Sequence, residues 1–136
     1  MLKEIVNREF VTIEPHQTVR EAARLMEEFG VGCVLVLSNG KPRGLITDRD
    51  IVLRCVAPNL DVSDTTVENI LSESLATVHE TDGIFDCITK MHAAGVRRIP
   101  VLGNDGKVIG LVCFDDLVRL LTQELSALAD GAASAA

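Results

Sequence analysis

The stretch Gly-Leu-Ile-Thr-Asp-Arg-Asp-Ile at residues 44–51 returns as Gly-Leu-Val-Cys-Phe-Asp-Asp-Leu at residues 110–117. In both stretches an apolar run passes directly into acidic residues, as where a buried strand leads into a helix. The first copy contains Thr47-x-x-Asp50, a capping box whose hydroxyl and carboxylate can satisfy N–H groups at a helix start. The chain is therefore predicted to contain two copies of one strand–turn–helix element.

The likeness extends outward over nearly the whole chain. With the sequence shifted by 65 positions, Met26 meets Met91; after an extra residue near Asp105 the shift is 66, and Asp50 meets Asp116. A fixed internal period indicates a repeated structural unit. We therefore divide the chain into repeats at 1–62 and 63–126, followed by an Ala/Gly/Ser-rich flexible tail at 127–136.

Each repeat is predicted to contain a short helical leader followed by the order β-α-β-β-α. The first has a leader at 2–6, a strand at 11–13, a helix opened by Thr18-x-x-Glu21 and ended by Gly30, strands at 31–37 and 43–47, and a helix at 48–56. The second has a leader at 67–71 capped by Thr65-x-x-Glu68, a strand at 76–78, a helix at 84–94, strands at 99–102 and 108–113, and a helix at 115–125. One copy buries too little apolar surface to be stable alone. The expected fold is α/β, with two repeats packed with pseudo-two-fold symmetry and clefts between them.

Charge and hydropathy exclude several classes of function. The net charge of −7 argues against nucleic acid as a partner, because such binding depends on basic contacts to phosphate. No apolar run reaches the roughly 18 residues of a membrane helix, and residues 1–10 do not resemble a signal peptide. We therefore expect a cytoplasmic protein with no membrane contact.

Cysteine and histidine residues do not form a recognisable catalytic or metal site. The four cysteines, at 33, 55, 87 and 113, match no common zinc spacing and are expected to be reduced thiols. The histidines lie on separate predicted elements, and no nucleophile–base spacing is evident. We expect no metal site, no catalytic residue and no enzymatic activity.

The repeated motifs resemble those of cystathionine-β-synthase (CBS) domains. The motif at 44–51 resembles the strand–turn–helix motif of that family, Val-Arg-Arg-Ile-Pro-Val-Leu at 96–102 resembles its central strand, and 110–117 repeats the first motif. The resemblance implies a Bateman module, which is a pair of such domains that binds AMP, ADP, ATP, S-adenosylmethionine or related molecules between its repeats. It also implies homodimers that act as sensors. We therefore expect a stand-alone regulatory module acting on an unidentified protein.

The resemblance also implies the residues of a ligand site. Thr47 can donate to a phosphate and Asp50 can accept from a ribose diol, although a helix cap alone would explain both residues. Arg98 is expected to reach the phosphate held by the sister repeat, since a guanidinium can bind phosphate through two nitrogens. The residues expected around the adenine and the rest of the pocket are Val6, Val11, Thr12, Val31, Gly32 and Cys33.

A second cleft is expected to bind more weakly. Its residues are Ala76, Val96, Arg97 and Asp116. Cys113 replaces the hydroxyl of Thr47, and Cys33 stands at the position that matches Arg98, so this cleft is predicted to lack a hydroxyl donor and a guanidinium. Arg97 neighbours Arg98 on a strand and faces the opposite way.

Two other functions remain open from the sequence. The chain could be a structural dimerisation module without a ligand, assembled through apolar helix surface at 51–53 and 117–121. Alternatively, Cys33 and Cys113 could flank the second cleft and carry redox or metal chemistry, although single cysteines are more often small buried apolar residues.

Overall fold

The computed structural model describes residues 2–71 and 75–135. It shows the predicted α/β architecture, with two three-stranded sheets and the order β-α-β-β-α in each repeat. The elements of the first repeat are a 3₁₀ turn at Leu2–Glu4, β1 (Thr12–Ile13), α1 (Val19–Phe29), β2 (Cys33–Ser38), β3 (Lys41–Thr47) and α2 (Asp48–Ile51), which continues as a π-helical turn at Val52–Val56. The elements of the second are α3 (Val67–Ile70), β4 (Val78–His79), α4 (Ile84–Ala94), β5 (Arg98–Leu102), β6 (Val108–Cys113) and α5 (Phe114–Ala135).

Local sequence signals account for the ends of the first long helix and for the hairpin that follows it. Thr18 and Glu21 form the predicted capping box at the start of α1, and Gly30 ends that helix in the left-handed conformation at φ 63°. Asn39 and Gly40 both have positive φ, at 54° and 78°, as a tight hairpin turn between β2 and β3 requires.

The strand register shows which residues lie beside the end of the repeated motif in the first repeat. Strand β1 pairs parallel to β2, and β2 pairs antiparallel to β3 with Cys33 opposite Thr47. The first residue of β2 therefore lies beside the last residue of β3. As a result, the start of α2 lies at the same edge of the sheet as Cys33.

The chain forms two compact units that differ from the sequence repeats in one respect. The Thr47 unit comprises the described residues within 8–75 and 105–108, and the Cys113 unit comprises those within 1–7, 76–104 and 109–136. Each unit therefore contains the leader of the other repeat. Leu2 is fully buried in the core of the Cys113 unit, and Val67 and Ile70 are buried in the core of the Thr47 unit.

One predicted helix cap is wrong. The sequence predicts that Thr65-x-x-Glu68 caps the second leader, but Thr66 is the N-cap residue of α3 and makes no side-chain cap bond. Thr65 is buried, and its carbonyl accepts a hydrogen bond from the Val19 amide at 2.9 Å. The tertiary contact with α1 therefore sets where the leader helix begins.

Two other helices differ from their predicted form. The predicted helix at 48–56 changes to a π-helical turn after Ile51. Helix α5 continues to Ala135, so residues 127–135 are helical within the stretch at 127–136 that the composition predicts to be a flexible tail. Alanine is the best helix former, and it dominates this stretch. Within residues 2–71 and 75–135, no helix is both long and apolar enough to cross a bilayer.

Candidate functional site: the strand–helix junctions

The junction between β3 and α2 holds Thr47 and Asp50 in a reciprocal capping box. The hydroxyl oxygen of Thr47 accepts from the Asp50 amide at 3.1 Å, and Oδ2 of Asp50 accepts from the Thr47 amide at 3.0 Å. This confirms the cap, and both side chains are half-buried. The box uses the Thr47 hydroxyl only as an acceptor, so its proton can still be donated, and the carboxylate retains further acceptor positions. A capping role and a ligand role can therefore coexist.

The start of β2 lies against this junction. The Asp48 amide donates to the Gly32 carbonyl at 3.0 Å, and Cys33, which is buried, pairs across the strands with Thr47. Val31 is 37% exposed, so an apolar surface remains available beside the junction. The structure therefore brings Gly32 and Cys33 together with the start of α2 at Thr47, and Val31 precedes them in the chain.

Arg54 is a charged neighbour of the junction that the sequence analysis missed. Its Nε lies 3.9 Å from Oδ1 of Asp50, and its Nη1 donates to the Ile70 carbonyl at 3.0 Å. The spacing of four residues between Asp50 and Arg54 was the signal that could have found this pair. Arg54 supplies a guanidinium close to the carboxylate from within the first repeat, and a backbone carbonyl of the second leader holds it there.

Val11 and Thr12 belong to the Thr47 unit but lie farther along the sheet from the junction between β3 and α2. Val11 packs against the core and its carbonyl accepts from the Leu35 amide at 2.9 Å, while Thr12 pairs with Leu35. Thr12 lines a pocket of about 460 Å³ at the Leu37–Gly40 end of β2, opposite the Cys33 end. This pocket does not include Thr47 or Asp50.

Val6 and Arg98 belong to the Cys113 unit. Val6 packs against the core of that unit, close to Gly110. Arg98 is half-buried at the start of β5, and its guanidinium lies near the thiol of Cys113. Arg98 thus supplies a guanidinium near the thiol of its own repeat, and the absence of a guanidinium from the sister repeat, where Cys33 stands, stays a prediction.

The junction between β6 and α5 has different polar contacts from the first. The guanidinium of Arg97 lies 2.7 Å from Oδ1 of Asp115 and 4.9 Å above the ring of Phe114. Asp116, the counterpart of Asp50, pairs with Arg119 at 3.1 Å. Ala76 is half-buried in the same unit, and Val96 is exposed. Arg97 and Asp116 are thus already engaged in ion pairs on the protein surface.

The thiol of Cys113 is held in its neutral form. Burial, followed by the nearby Asp116 carboxylate, raises the pKa of Cys113 above its ordinary value, and Arg98 only partly opposes the shift. Because the thiolate is the nucleophile and metal ligand, this environment disfavours the proposed redox or metal role. Within the part of the chain that the structure describes, no three His, Cys, Asp or Glu side chains form a group that could hold a metal ion.

Comparisons with known proteins agree with the resemblance. The family model for the CBS domain matches residues 2–57 and 67–123. An uncharacterized protein of Methanopyrus kandleri is 30% identical over 118 residues, which are 86% of this chain and 60% of that protein. The chain thus spans less than two thirds of the length of that relative. The CBS domain-containing protein YhcV of Bacillus subtilis is 32% identical over 116 residues, which are 85% of this chain and 81% of YhcV.

A solved structure shares the fold over almost the whole chain. It is a CBS domain pair in complex with 5′-methylthioadenosine and S-adenosyl-L-methionine. It has 25% sequence identity and a TM-score of 0.79, and the match covers 91% of this chain and 97% of that one.

Proposed function

This chain belongs to the CBS domain family, and we propose that it is a non-catalytic regulatory module that binds an adenine nucleotide or a related adenosyl compound. The observation that carries the proposal is the half-buried pair of Thr47 and Asp50, whose hydrogen-bonding capacity exceeds what the helix cap uses. AMP, ADP, ATP, S-adenosylmethionine and 5′-methylthioadenosine are the candidate ligands. The complex of the related domain pair with two adenosyl compounds supports this choice.

Each polar group of the first junction is proposed to have one role. Asp50 accepts two hydrogen bonds from the ribose diol, for which an acceptor-only carboxylate with two oxygens is well suited. Thr47 donates its hydroxyl proton to a phosphate, and the apolar Val31 lies against the adenine ring. The contribution of Arg98 to phosphate binding remains a prediction from the family resemblance.

Titration calorimetry of Asp50→Ala tests the proposal. The variant should bind its best ligand about 100-fold more weakly, since hydrogen bonds to charged groups contribute roughly 1.5–3 kcal/mol and about 1.4 kcal/mol is tenfold in affinity. Asp50→Ala also removes a helix cap, so a loss of stability must be separated from a loss of binding. Ligand at 100 times its dissociation constant should also raise the free energy of unfolding of the wild type by about 2.7 kcal/mol, which a thermal-shift assay would detect.

The chain offers a matched control for the cap. In the box at the start of α1, Oε2 of Glu21 accepts from the Thr18 amide at 2.9 Å, as Oδ2 of Asp50 does for Thr47. Glu21→Ala should therefore cost similar stability while leaving ligand affinity unchanged. Equal losses of affinity in the Glu21 and Asp50 variants would show that the loss follows from lower stability and not from a lost ligand contact. If the wild type binds no ligand at millimolar concentration, the ligand-free structural module is favoured.

The second junction is the rival position for the ligand, because Arg98 lies beside Cys113 there. We expect Asp116→Ala to change affinity little, since Asp116 is paired with Arg119. Loss of binding in Asp116→Ala with full binding in Asp50→Ala would assign the ligand to the second junction. Arg98→Ala should weaken phosphorylated ligands more than adenosine.

Homodimer formation is part of the proposal. The structure leaves Val52, Leu53, Val118 and Leu121 exposed, but Leu117 is 1% exposed and belongs to the core, so it cannot form part of an interface. Each unit thus exposes apolar side chains on a helix, and exposed apolar surface of this kind often marks an interface. Sedimentation should therefore show a dimer at micromolar concentration, and a monomer at high micromolar concentration would contradict this part of the proposal.

A further inference from the structure

Arg54 connects the first junction to the second leader. Its Nε lies 3.9 Å from Oδ1 of Asp50, and its Nη1 donates to the Ile70 carbonyl at 3.0 Å. The first distance is too long for a hydrogen bond, so charge attracts Asp50, whereas the bond to Ile70 fixes the guanidinium. One side chain therefore contacts both the carboxylate proposed to hold the ribose and the last residue of α3.

The backbone that carries Arg54 is held firmly. Cys55, the next residue, is fully buried in the core of the Thr47 unit. The Ala57 amide donates to the Val52 carbonyl at 2.8 Å, which closes the π-helical turn that contains Arg54. Turns of this kind are rare and are frequently found at functional sites. The guanidinium thus extends from a fixed turn toward its two partners.

The docked leader determines where the guanidinium lies. The last four carbonyls of a helix have no partner within it, and a basic side chain can satisfy them. Helix α3 has only four residues, and Arg54 binds the carbonyl of its last one. The side chains of Val67 and Ile70 are buried in the core of the Thr47 unit, which places this carbonyl within reach of Arg54. The position of the charge beside Asp50 therefore depends on the leader.

Each oxygen of the Asp50 carboxylate has its own neighbour. Oδ2 accepts from the Thr47 amide at 3.0 Å, and Oδ1 is the oxygen nearest to Arg54. The terminal torsion of an aspartate is broad, so a single contact leaves the plane of the carboxylate free to turn. Two neighbours on opposite oxygens hold this plane, and a group held in its binding orientation loses less entropy when a ligand binds.

We infer that Arg54 is a positioning residue of the ribose site, which orients the Asp50 carboxylate for a diol and couples ribose binding to docking of the second leader. The inference rests on the proposed function, because it requires that Asp50 binds a ribose diol. Coupling between two sites is reciprocal, so a ligand that uses Asp50 also stabilises the docked leader. A ligand without the diol lacks this effect.

Calorimetry with AMP and its dideoxy analogue, which lacks both ribose hydroxyls, tests the positioning role. The wild type should prefer AMP by roughly 100-fold. Arg54→Gln should reduce this preference by about three- to fivefold, as expected for a partly exposed ion pair, and Arg54→Lys should retain most of it because it keeps the charge. A lost attraction between Arg54 and the phosphate weakens both ligands equally and cancels in the ratio.

Arg20→Gln is the matched control for the loss of an arginine. The Nε of Arg20 donates to Oγ of Ser63, in the segment between the π-helical turn and α3, at 2.8 Å. This variant removes the same charge and a contact within the same unit, but the partner that it leaves is a serine rather than the Asp50 carboxylate. The preference for AMP should stay at its wild-type value.

Amide hydrogen exchange tests the coupling to the leader. The two ligands are compared at equal multiples of their dissociation constants, because they then stabilise the whole fold equally. In the wild type, AMP should slow exchange at residues 67–71 at least about threefold more than the dideoxy analogue does. In Arg54→Gln the two ligands should slow it equally. The wild-type comparison stands by itself if Arg54→Gln does not fold.

The outcomes separate this inference from the proposed function. A reduced preference for AMP in Arg54→Gln, with leader protection that depends on the diol, supports the inference. If Arg54→Gln weakens both ligands equally, or if both ligands protect the wild-type leader equally, the inference is wrong and the proposed function stands. A wild type that binds neither ligand, or binds both equally well, would contradict both.

Discussion

The chemistry of the cysteines depends on burial. Cys33, Cys55 and Cys87 are buried, and Cys113 is partly exposed. Burial, followed by the Asp82 carboxylate, raises the pKa of the Cys87 thiol from 9.0 to about 11, although Lys90 opposes the shift. A neutral thiol behaves as a small apolar side chain, so Cys87 contributes to the core rather than to a reactive site.

This pKa shift predicts a loss of stability at alkaline pH. The folded protein holds the Cys87 proton more tightly than the unfolded chain, so the associated stability is complete below about pH 9 and is lost as the pH rises through about 11. The loss should be on the order of 2–3 kcal/mol. The chain has no tyrosine that would titrate in the same range.

Urea unfolding between pH 8 and pH 11 would measure this loss. Cys87→Ala should be less stable than the wild type at pH 8 because it leaves a small cavity, but its stability should fall less steeply above pH 9. Parallel pH profiles for the two proteins would show that Cys87 does not carry the effect.

Close contact between elements explains why a glycine stands in β6. The backbone of Asn7 exchanges hydrogen bonds with Leu111, at 2.8 Å and 3.0 Å, where the first leader meets β6. A Cβ atom at Gly110 would collide with the Asn7 carbonyl and the Val6 side chain. A Cβ atom at Gly44 would meet only the side chain of Leu71 in the second leader. The glycines of the two repeated motifs therefore allow the leaders to approach.

Two glycine-to-alanine changes should have opposite effects on the free energy of unfolding. Gly110→Ala should lower the free energy of unfolding by about 2–3 kcal/mol, because backbone atoms leave no room for the methyl group. Gly131→Ala should raise it by up to about 1 kcal/mol, since an added Cβ meets open space in a helix. Chemical denaturation measures both, and a neutral Gly131→Ala would argue that α5 is not helical at that position in solution.

In the whole molecule the two leaders are exchanged. Each compact unit contains the leader of one repeat and the sheet of the other. Leu2 precedes the first repeat in sequence but completes the core of the Cys113 unit. Ile70 begins the second repeat but completes the core of the Thr47 unit. Neither unit therefore has a complete core from one sequence repeat alone.

Core truncations in the leaders should consequently act on the opposite repeat. Leu2→Ala should cost about 2–5 kcal/mol and increase amide hydrogen exchange in β5 and β6 more than in β2 and β3. Ile70→Ala should show the reverse pattern. Mass spectrometry of exchanged peptides distinguishes the two patterns, and faster exchange of both sheets to the same degree in both variants would contradict this division of the cores.

Interactions within a few residues made much of the fold predictable from the sequence. The boxes at Thr18 and Thr47, the C-terminal glycine at Gly30 and the turn at Asn39 involve partners at most a few positions apart. The order of elements follows from apolar periodicity and from the repeat. For the same reason, the pairing of Asp50 with Thr47 at the candidate site could be predicted from the sequence.

Contacts between distant residues decided the rest. Thr65 matches a capping motif, but its burial against α1 moved the cap to Thr66. Arg98 and Cys113 come near each other because they stand on neighbouring strands. The sequence by itself determined two repeats of known order and the Thr47–Asp50 pair, because those features depend on local geometry. Only the tertiary structure decided that the leaders are exchanged and which guanidinium lies at which junction, because long-range packing selects among partners that the sequence leaves equivalent.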